Sequence, residues 1–288
     1  MSPSTVWLAS YPKSGNTWMR ALLGALMARE ETDDPLDIND LRGEPFAASR
    51  HHVERYLGFP ASDLAPAEVD ALRPACDAEL DRSLSETRLR KIHDAVQTLD
   101  GQPLVSSDSA RAAIYLVRDP RDVAVSLAHF FGRPMRLAVK LLGNPAGTLG
   151  GRSPTIGRQL PQPLGTWSEH VLGWVRQDAF PVVVVRYEDL LVDAGRELTR
   201  AAALAGLHAS PERIAAAVEA ARFEKLQRRE DDVGFAERPT RATRFFRRGE
   251  AGAWRDELPR TLAAKVERDH GDVMAMFRYE RELTGVSA

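Results

Sequence analysis

Residues Thr5–Trp18, TVWLASYPKSGNTW, give the clearest indication of how this chain folds. Its first six residues form a short run without strict polar alternation, which is typical of a strand buried on both faces of a parallel sheet. A turn containing Lys13 and Gly15 follows, and an apolar helical pattern begins at Thr17. A strand, a tight turn and a helix N-terminus form an anion site, because free backbone N–H groups and the helix dipole point at the turn. The stretch therefore predicts an α/β protein with a phosphate-binding loop after its first strand.

The side chains of this loop add to its affinity for anions. Lys13 contributes a positive charge, and Ser14, Asn16 and Thr17 contribute hydroxyl and amide donors. The loop is not a Walker A sequence, because its lysine precedes the glycine instead of following it. Spacing alone also fits an ordinary turn whose serine and threonine cap the helix.

Further β-branched or aromatic runs predict strands at Leu89–His93, Ala113–Arg118 and Pro181–Tyr187. Helical patterns lie between and after them, which favours a three-layer α/β sandwich with a central parallel sheet. A length of 288 residues suits a single domain. The helical patterns cover Thr17–Arg29, Pro66–Ser85, Arg121–Phe131, Thr166–Gln177, Val192–Ala205, Pro211–Arg222 and Leu258–Phe277.

Composition narrows the function classes. Lys and Arg number 39 against 41 Asp and Glu, so the net charge of -2 offers no general field for nucleic acid or anionic membranes. The single cysteine, Cys76, rules out an intrachain disulfide and argues against a cysteine metal site. The chain contains no apolar run as long as the roughly 20 residues of a membrane span. We therefore expect a soluble, cytoplasmic protein without a metal, in which anion binding is local.

A second basic segment, RDPRDVAVS, runs from Arg118 to Ser126. Asp119 followed by proline is a helix start, with the aspartate as N-cap. Arg118 at the strand end and Ser126 about two turns into the helix can approach one ligand group. Alternatively, Arg118 simply pairs with Asp122.

A third basic segment, FFRRGEAGAWR, covers Phe245–Arg255. Arg247, Arg248 and Gly249 suit a loop that closes over a phosphate, because glycine lets the backbone approach and guanidinium groups bind bidentately. By itself the segment could also be a solvated basic turn.

The second predicted strand ends in Lys91-Ile92-His93. Residues two apart on a strand share a face, so Lys91 and His93 point the same way. Histidine is the natural general base near neutral pH. A lone histidine at a strand end is also compatible with a structural role, and the neighbouring Asp94 could orient it.

These motifs resemble those of the cytosolic sulfotransferase family, in family order from Tyr11 to Arg255. YPKSGNTW resembles the family's 5′-phosphosulfate loop, usually YPKSGTTW, with Asn16 in place of a threonine. RDPRDVAVS resembles its 3′-phosphate segment, and FFRRGEAGAWR resembles a third signature in which Arg248 replaces a lysine. Lys-Ile-His resembles its K-T-H run.

The resemblance implies a P-loop-like sulfotransferase fold and transfer of a sulfuryl group from 3′-phosphoadenosine-5′-phosphosulfate (PAPS), leaving adenosine 3′,5′-bisphosphate (PAP). It implies His93 as general base, Lys13 on the phosphosulfate bridge and Lys91 assisting the departing sulfuryl group. The implied nucleotide-binding residues are Lys13, Ser14, Gly15, Asn16, Thr17, Trp18, Arg118, Ser126, Tyr187, Phe223, Arg247, Arg248 and Gly249.

The acceptor is implied to be a small molecule with a hydroxyl or amine, and its identity stays open, as does a homodimeric state. The Gly/Pro-rich loop Leu141–Gly165 is expected to cover the acceptor as a lid, helped by the insertion Leu41–Glu86. A P-loop small-molecule kinase and a non-catalytic nucleotide-binding protein are the alternative functions.

Overall fold

The computed structural model describes residues 4–28, 36–41, 45–84, 86–99, 102–150 and 157–283. The predicted helix ends at Arg29 and Ser85 lie outside these ranges, as does the centre of the predicted lid, residues 151–156.

A parallel sheet of four strands forms the centre of the molecule, in the order β2-β1-β5-β8. Each of its strands overlaps one of the four predicted runs. Two short antiparallel pairs, β3 with β4 and β6 with β7, lie outside it. The strands are β1 (Thr5–Ser10), β2 (Arg88–Ile92), β3 (Thr98–Leu99), β4 (Gln102–Pro103), β5 (Ala112–Val117), β6 (Thr148–Leu149), β7 (Gln162–Pro163) and β8 (Val182–Arg186).

Helices cover both faces of this sheet, and others pack around it. The helices of the described residues are α1 (Asn16–Met27), α2 (Arg50–Leu57), α3 (Pro66–Arg82), α4 (Pro120–Phe131), α5 (Met135–Leu142), α6 (Trp167–Arg176), α7 (Tyr187–Val192), α8 (Ala194–Leu204), α9 (Pro211–Ala220), α10 (Phe223–Val233), α11 (Trp254–Glu257) and α12 (Arg260–Met276).

The predicted helix at Val192–Ala205 is wrong at its start. Asp193 has extended backbone with φ near -151°, and its side chain accepts a hydrogen bond from the backbone N–H of Arg196. This N-cap begins α8 and separates it from α7, because a residue in that conformation cannot continue a helix. The Gly/Pro-rich loop also begins later than predicted, since α5 extends to Leu142.

The two faces of β1 pack into two different cores. Val6 and Leu8 belong to a core shared with α1, α8 and α9. Trp7 and Ala9 belong to the core on the opposite face, shared with α4, α6 and α12. This alternation follows from the period of two along a strand and confirms the three-layer α/β sandwich.

The parallel sheet determines where the site lies. All four strands end at the same edge, and each is followed by one predicted site segment, beginning at Tyr11, His93, Arg118 and Tyr187. Ligands of open α/β sheets bind at this carboxyl edge. Within the described ranges, no helix is long and apolar enough to cross a membrane.

Candidate active site

A cavity of about 1070 Å³ opens at the carboxyl edge of the sheet. Every predicted site residue lines it except Ser14, which is fully buried. The structure therefore brings together side chains that lie more than two hundred positions apart in the chain.

Glycine is required in the phosphate loop. Gly15 has a φ of 101°, and a Cβ atom there would lie 2.8 Å from Cδ2 of Tyr187. Lys13 also has positive φ, at 71°. The left-handed backbone lets the chain turn sharply from β1 into α1, whose N-terminus faces the cavity.

The side chain of Asn16 makes contacts that differ from those expected of a hydrogen-bond donor to phosphate. Its Nδ2 group donates to the carbonyl of Leu8 at 2.8 Å and to Oγ of Ser10 at 3.3 Å. The side chain thus ties the start of α1 to the end of β1. Its contribution to anion binding is consequently to hold the loop in shape.

Lys13 lies in a crowded, positively charged part of the cavity. Its ammonium stands over the rings of Phe245 and Phe130, 3.9 and 4.3 Å from their centroids. Burial, followed by repulsion from Arg118 and Lys91, lowers the pKa of Lys13 to about 7. An anion bound here would relieve that repulsion.

Arg118 does not pair with Asp122 in the described structure. Its guanidinium donates to the backbone carbonyl of Glu250 at 2.9 Å and lies over the Tyr187 ring at 4.2 Å. Asp122 instead accepts from the backbone N–H groups of Gly252 and Trp254, at 2.7 and 2.9 Å. That carboxylate fastens the third basic segment to α4.

The third basic segment closes over Phe223. Gly249 has a φ of 67°, and a Cβ atom there would lie 2.5 Å from the Phe223 ring. Nη1 of Arg247 lies 2.8 Å from Glu257, and Nη1 of Arg248 lies 2.9 Å from Glu250. The loop therefore presents two arginines over an aromatic surface.

Trp18 and Tyr187 form another aromatic wall of the cavity. Their rings meet edge to face, with centroids 5.8 Å apart. Nε1 of Trp18 donates to the carbonyl of Ala221 at 2.9 Å, which fixes the indole. An aromatic wall of this kind suits a flat heterocycle.

His93 is 9% exposed, and its tautomer follows from its partner. The Nδ1 atom lies 2.8 Å from the backbone carbonyl of Ser10. A carbonyl only accepts, so Nδ1 carries the proton and Nε2 keeps a lone pair. Burial and then Lys91 lower the pKa of His93 to about 3, so the imidazole is neutral at physiological pH. The Nε2 group of His170 donates a hydrogen bond to the backbone carbonyl of His93 at 2.9 Å and so supports the backbone that carries this imidazole.

Asp94 does not orient His93 through its carboxylate. That carboxylate is fully buried and accepts two hydrogen bonds from Arg73 of α3, at 2.8 and 2.9 Å. The pair fastens the insertion between β1 and β2 to the sheet.

Glu237 is a site residue that the sequence analysis missed. It lies in the cavity lining, 2.7 Å from Nζ of Lys91. No motif marks it, because an acidic residue in a charged stretch resembles a solvated surface. Only the folded chain shows that it contacts a residue 146 positions away.

Among the side chains that the structure describes, no group of three or more His, Cys, Asp or Glu residues could hold a metal ion.

Comparison with known proteins agrees with this geometry. Residues 3–278 match the sulfotransferase domain family, and the chain belongs to that family. Flavonol 3-sulfotransferase of Flaveria bidentis is 26% identical over 287 residues, covering 92% of this chain and 80% of that protein. Cytosolic sulfotransferase 13 of Arabidopsis thaliana is 27% identical over 275 residues, covering 92% and 75%.

Solved structures show the same fold. A retinol dehydratase in complex with androsterone and the inactive cofactor PAP has a TM-score of 0.57 and 23% identity, covering 98% of this chain and 84% of that one. A mouse sulfotransferase complexed with PAP has a TM-score of 0.56 and 18% identity, covering 94% and 84%. The predictions of a sulfotransferase and of its P-loop-like fold are therefore confirmed.

Proposed function

We propose that this sulfotransferase binds PAPS across the two anion sites of its cavity. The loop Lys13–Thr17 would hold the 5′-phosphosulfate, while Arg118, Ser126 and the loop Arg247–Gly249 would hold the 3′-phosphate. Two groups of donors that line one cavity suit a nucleotide with two anionic groups. The aromatic side chains between them, Trp18, Tyr187 and Phe223, would flank the adenosine.

The single observation that carries the catalytic proposal is the hydrogen bond from His93 Nδ1 to the Ser10 carbonyl. It leaves the Nε2 lone pair of a buried imidazole available beside the cavity. His93 accepts the proton of the acceptor's hydroxyl or amine as the oxygen or nitrogen of that group attacks the sulfur of the donor. The bond between sulfur and the bridging oxygen of the donor breaks, and PAP leaves with the electron pair. Lys13 and Lys91 stabilise the negative charge that develops on the bridging oxygen.

The low pKa of His93 is compatible with this role. It belongs to the ligand-free protein, where burial and the charge of Lys91 disfavour the imidazolium. A bound anion adds negative charge nearby and raises that pKa, because opposite charge favours the protonated form. The base therefore becomes stronger once the donor is in place.

We assign the acceptor to the half of the cavity that is lined by three segments outside the nucleotide motifs. They are residues 38–41 with 46–54, residues 149–150 with 157–159, and residues 235–239. Two backbone contacts join the second segment to the first. The N–H of Leu160 donates to the Ala48 carbonyl at 2.8 Å, and Ser49 and Gln159 form an isolated antiparallel β-bridge. These contacts support the prediction that the loop Leu141–Gly165 covers the acceptor as a lid, helped by the insertion Leu41–Glu86. They also support a single domain.

The acceptor is a small molecule with a hydroxyl or amine. The relatives' names include a flavonol acceptor, and a related structure contains androsterone. Relatives named cytosolic support a cytoplasmic location.

The catalytic proposal is tested by His93→Ala. Purified protein is incubated with PAPS and a pool of flavonols, steroids, simple phenols, aliphatic alcohols and amines, and sulfated products are identified by mass spectrometry. We expect kcat for the acceptor so found to fall about 10²-fold or more on loss of the base, while PAP affinity measured by calorimetry barely changes.

His208→Ala is the matched control, since His208 is exposed and lies outside this cavity. It should retain wild-type turnover. Near-normal kcat in His93→Ala would refute the general-base assignment, and an absence of sulfated products from the wild type would refute the acceptor class.

A further inference from the structure

Glu237 lies between two cations in the acceptor half of the cavity. Its Oε2 atom is 2.7 Å from Nζ of Lys91, and its Oε1 atom is 2.5 Å from Nη1 of Arg20. Arg20 is 2% exposed and the side chains of Lys91 and Glu237 are 12% and 23% exposed, so water screens these contacts weakly. The carboxylate therefore joins α1 to the end of β2 through two charge-assisted contacts.

The ring of Phe46 completes this arrangement. Its centroid is 4.6 Å from the Lys91 ammonium and 5.0 Å from the Arg20 guanidinium. A lysine ammonium at the end of a flexible four-carbon stem has no preferred position of its own. Here a carboxylate and an aromatic face together confine it.

Glu237 is ionised when the enzyme works. Burial raises its pKa, but Lys91 and Arg20 outweigh burial and lower the pKa to about 2. Its charge also reaches the reaction centre, because it raises the pKa of both His93 and Lys13. Glu237 is thus within electrostatic range of all three residues assigned to the chemistry.

We propose that Glu237 is a positioning residue for sulfuryl transfer, holding the Lys91 ammonium beside His93 while Arg20 holds Glu237. This inference rests on the proposed function, in which Lys91 stabilises the departing group. Displacing a catalytic group by about 1 Å costs up to about 10²-fold in rate, so a carboxylate that fixes the ammonium has a measurable effect.

Glu237→Gln tests the inference, because it keeps the size of the side chain and removes its charge. Turnover of PAPS to PAP is measured with the acceptor pool described above. We expect kcat to fall about 10- to 100-fold while PAP affinity changes less than about threefold. Glu237→Asp, which keeps the charge, should recover part of the loss.

A double-mutant cycle shows whether Glu237 acts through Lys91. Lys91→Ala alone should be slow, and adding Glu237→Gln to it should cost little more. Losses that multiply in the double variant, or wild-type kcat in Glu237→Gln, would overturn the positioning role. If Lys91→Ala itself keeps wild-type kcat, the assignment of Lys91 in the proposed function fails instead, and Glu237 has nothing to position.

Glu197→Gln separates positioning from simple structural support. Glu197 is 1% exposed and pairs with Arg196 at 2.9 Å and with Arg200, and none of these residues lines the cavity. We expect this variant to lose thermal stability but to keep kcat within about twofold. If both glutamine variants lose stability and kcat in the same proportion, Glu237 has only a structural role and the inference is wrong.

Discussion

At the scale of single residues, Lys13 combines its proposed role in PAPS binding with an unusual charge state. Its ammonium lies over two aromatic rings and near two other cations, and the residue is only partly exposed to water. Because the pKa of Lys13 is lowered to about 7, a substantial fraction is neutral just above neutral pH in the ligand-free protein. If Lys13 binds the nucleotide as proposed, a bound phosphate should restore its charge, and nucleotide binding should take up a proton.

This predicts that PAP affinity falls as the pH rises. The charged lysine binds the anion, and binding raises its pKa, so affinity decreases by up to about tenfold per pH unit between the ligand-free and bound pKa values. Calorimetry from pH 7 to 9, where phosphate groups are already ionised, should show the dissociation constant increasing. Lys13→Arg should remove most of that increase, since a guanidinium stays protonated. A flat wild-type profile would contradict the role of Lys13.

At the scale of elements, the loop Arg247–Gly249, which is the proposed clamp on the 3′-phosphate, packs against α10. Gly249 brings its backbone against the ring of Phe223, the first residue of that helix. Gly234 ends the same helix with a similar φ of 73°, but a Cβ atom there would meet nothing within 4 Å among the described residues. The two glycines thus share a positive φ and differ in packing.

Replacing each glycine by alanine should therefore give different results. Both variants should lose about 1–3 kcal/mol of stability, because alanine rarely adopts the positive φ of either position. Gly249→Ala alone should also push the clamp from Phe223 and weaken PAP binding by about tenfold or more, because its arginines would lose their charged contacts. Thermal unfolding and calorimetry measure the two effects. Equal PAP affinity in both variants would show that the clamp does not depend on this close approach.

At the scale of the whole molecule, anion binding is a local property of the sheet edge. The chain as a whole carries a net charge of -2, yet Lys13, Lys91, Arg118, Arg247 and Arg248 all line one cavity. In the proposed function they divide between the two phosphate groups of the nucleotide, Lys13 at the 5′ end and Arg118, Arg247 and Arg248 at the 3′-phosphate.

We therefore expect PAP to bind about 10²-fold or more tightly than ATP, which lacks the 3′-phosphate that the second cluster would hold. Calorimetry measures the two affinities, and equal affinity for both nucleotides would contradict the second anion site.

We also expect sulfation to survive a chelator, since the cations of the site can stabilise the departing group. The product assay measures this outcome. Activity that is restored only by added metal would favour kinase-like chemistry.

Several features were predictable because their causes are local. The four strands follow from short apolar runs, and the start of α4 follows from Asp119, whose side chain accepts from the Arg121 N–H as an N-cap should. The order of the motifs led to the sulfotransferase family. Since parallel strands end at one edge, the predicted sheet also implied that these motifs would meet.

The remaining features depend on residues distant in sequence. Asn16 turns inward to Leu8 and Ser10 in the phosphate loop, although its position suggested a ligand donor. Asp122 binds the backbone of the third basic segment about 130 positions later, where pairing with Arg118 was the simple alternative.

Local periodicity and capping are enough to specify the strand-loop-helix unit, the α/β class and the residue types found at the sheet edge. Folding of the whole chain sets three further properties, which are the His93 tautomer, the pKa of Lys13 near 7 and the contact between Glu237 and Lys91. Each of these properties depends on burial and on partners brought from distant parts of the chain. Interactions between charged groups become strong only when folding removes the water between those groups.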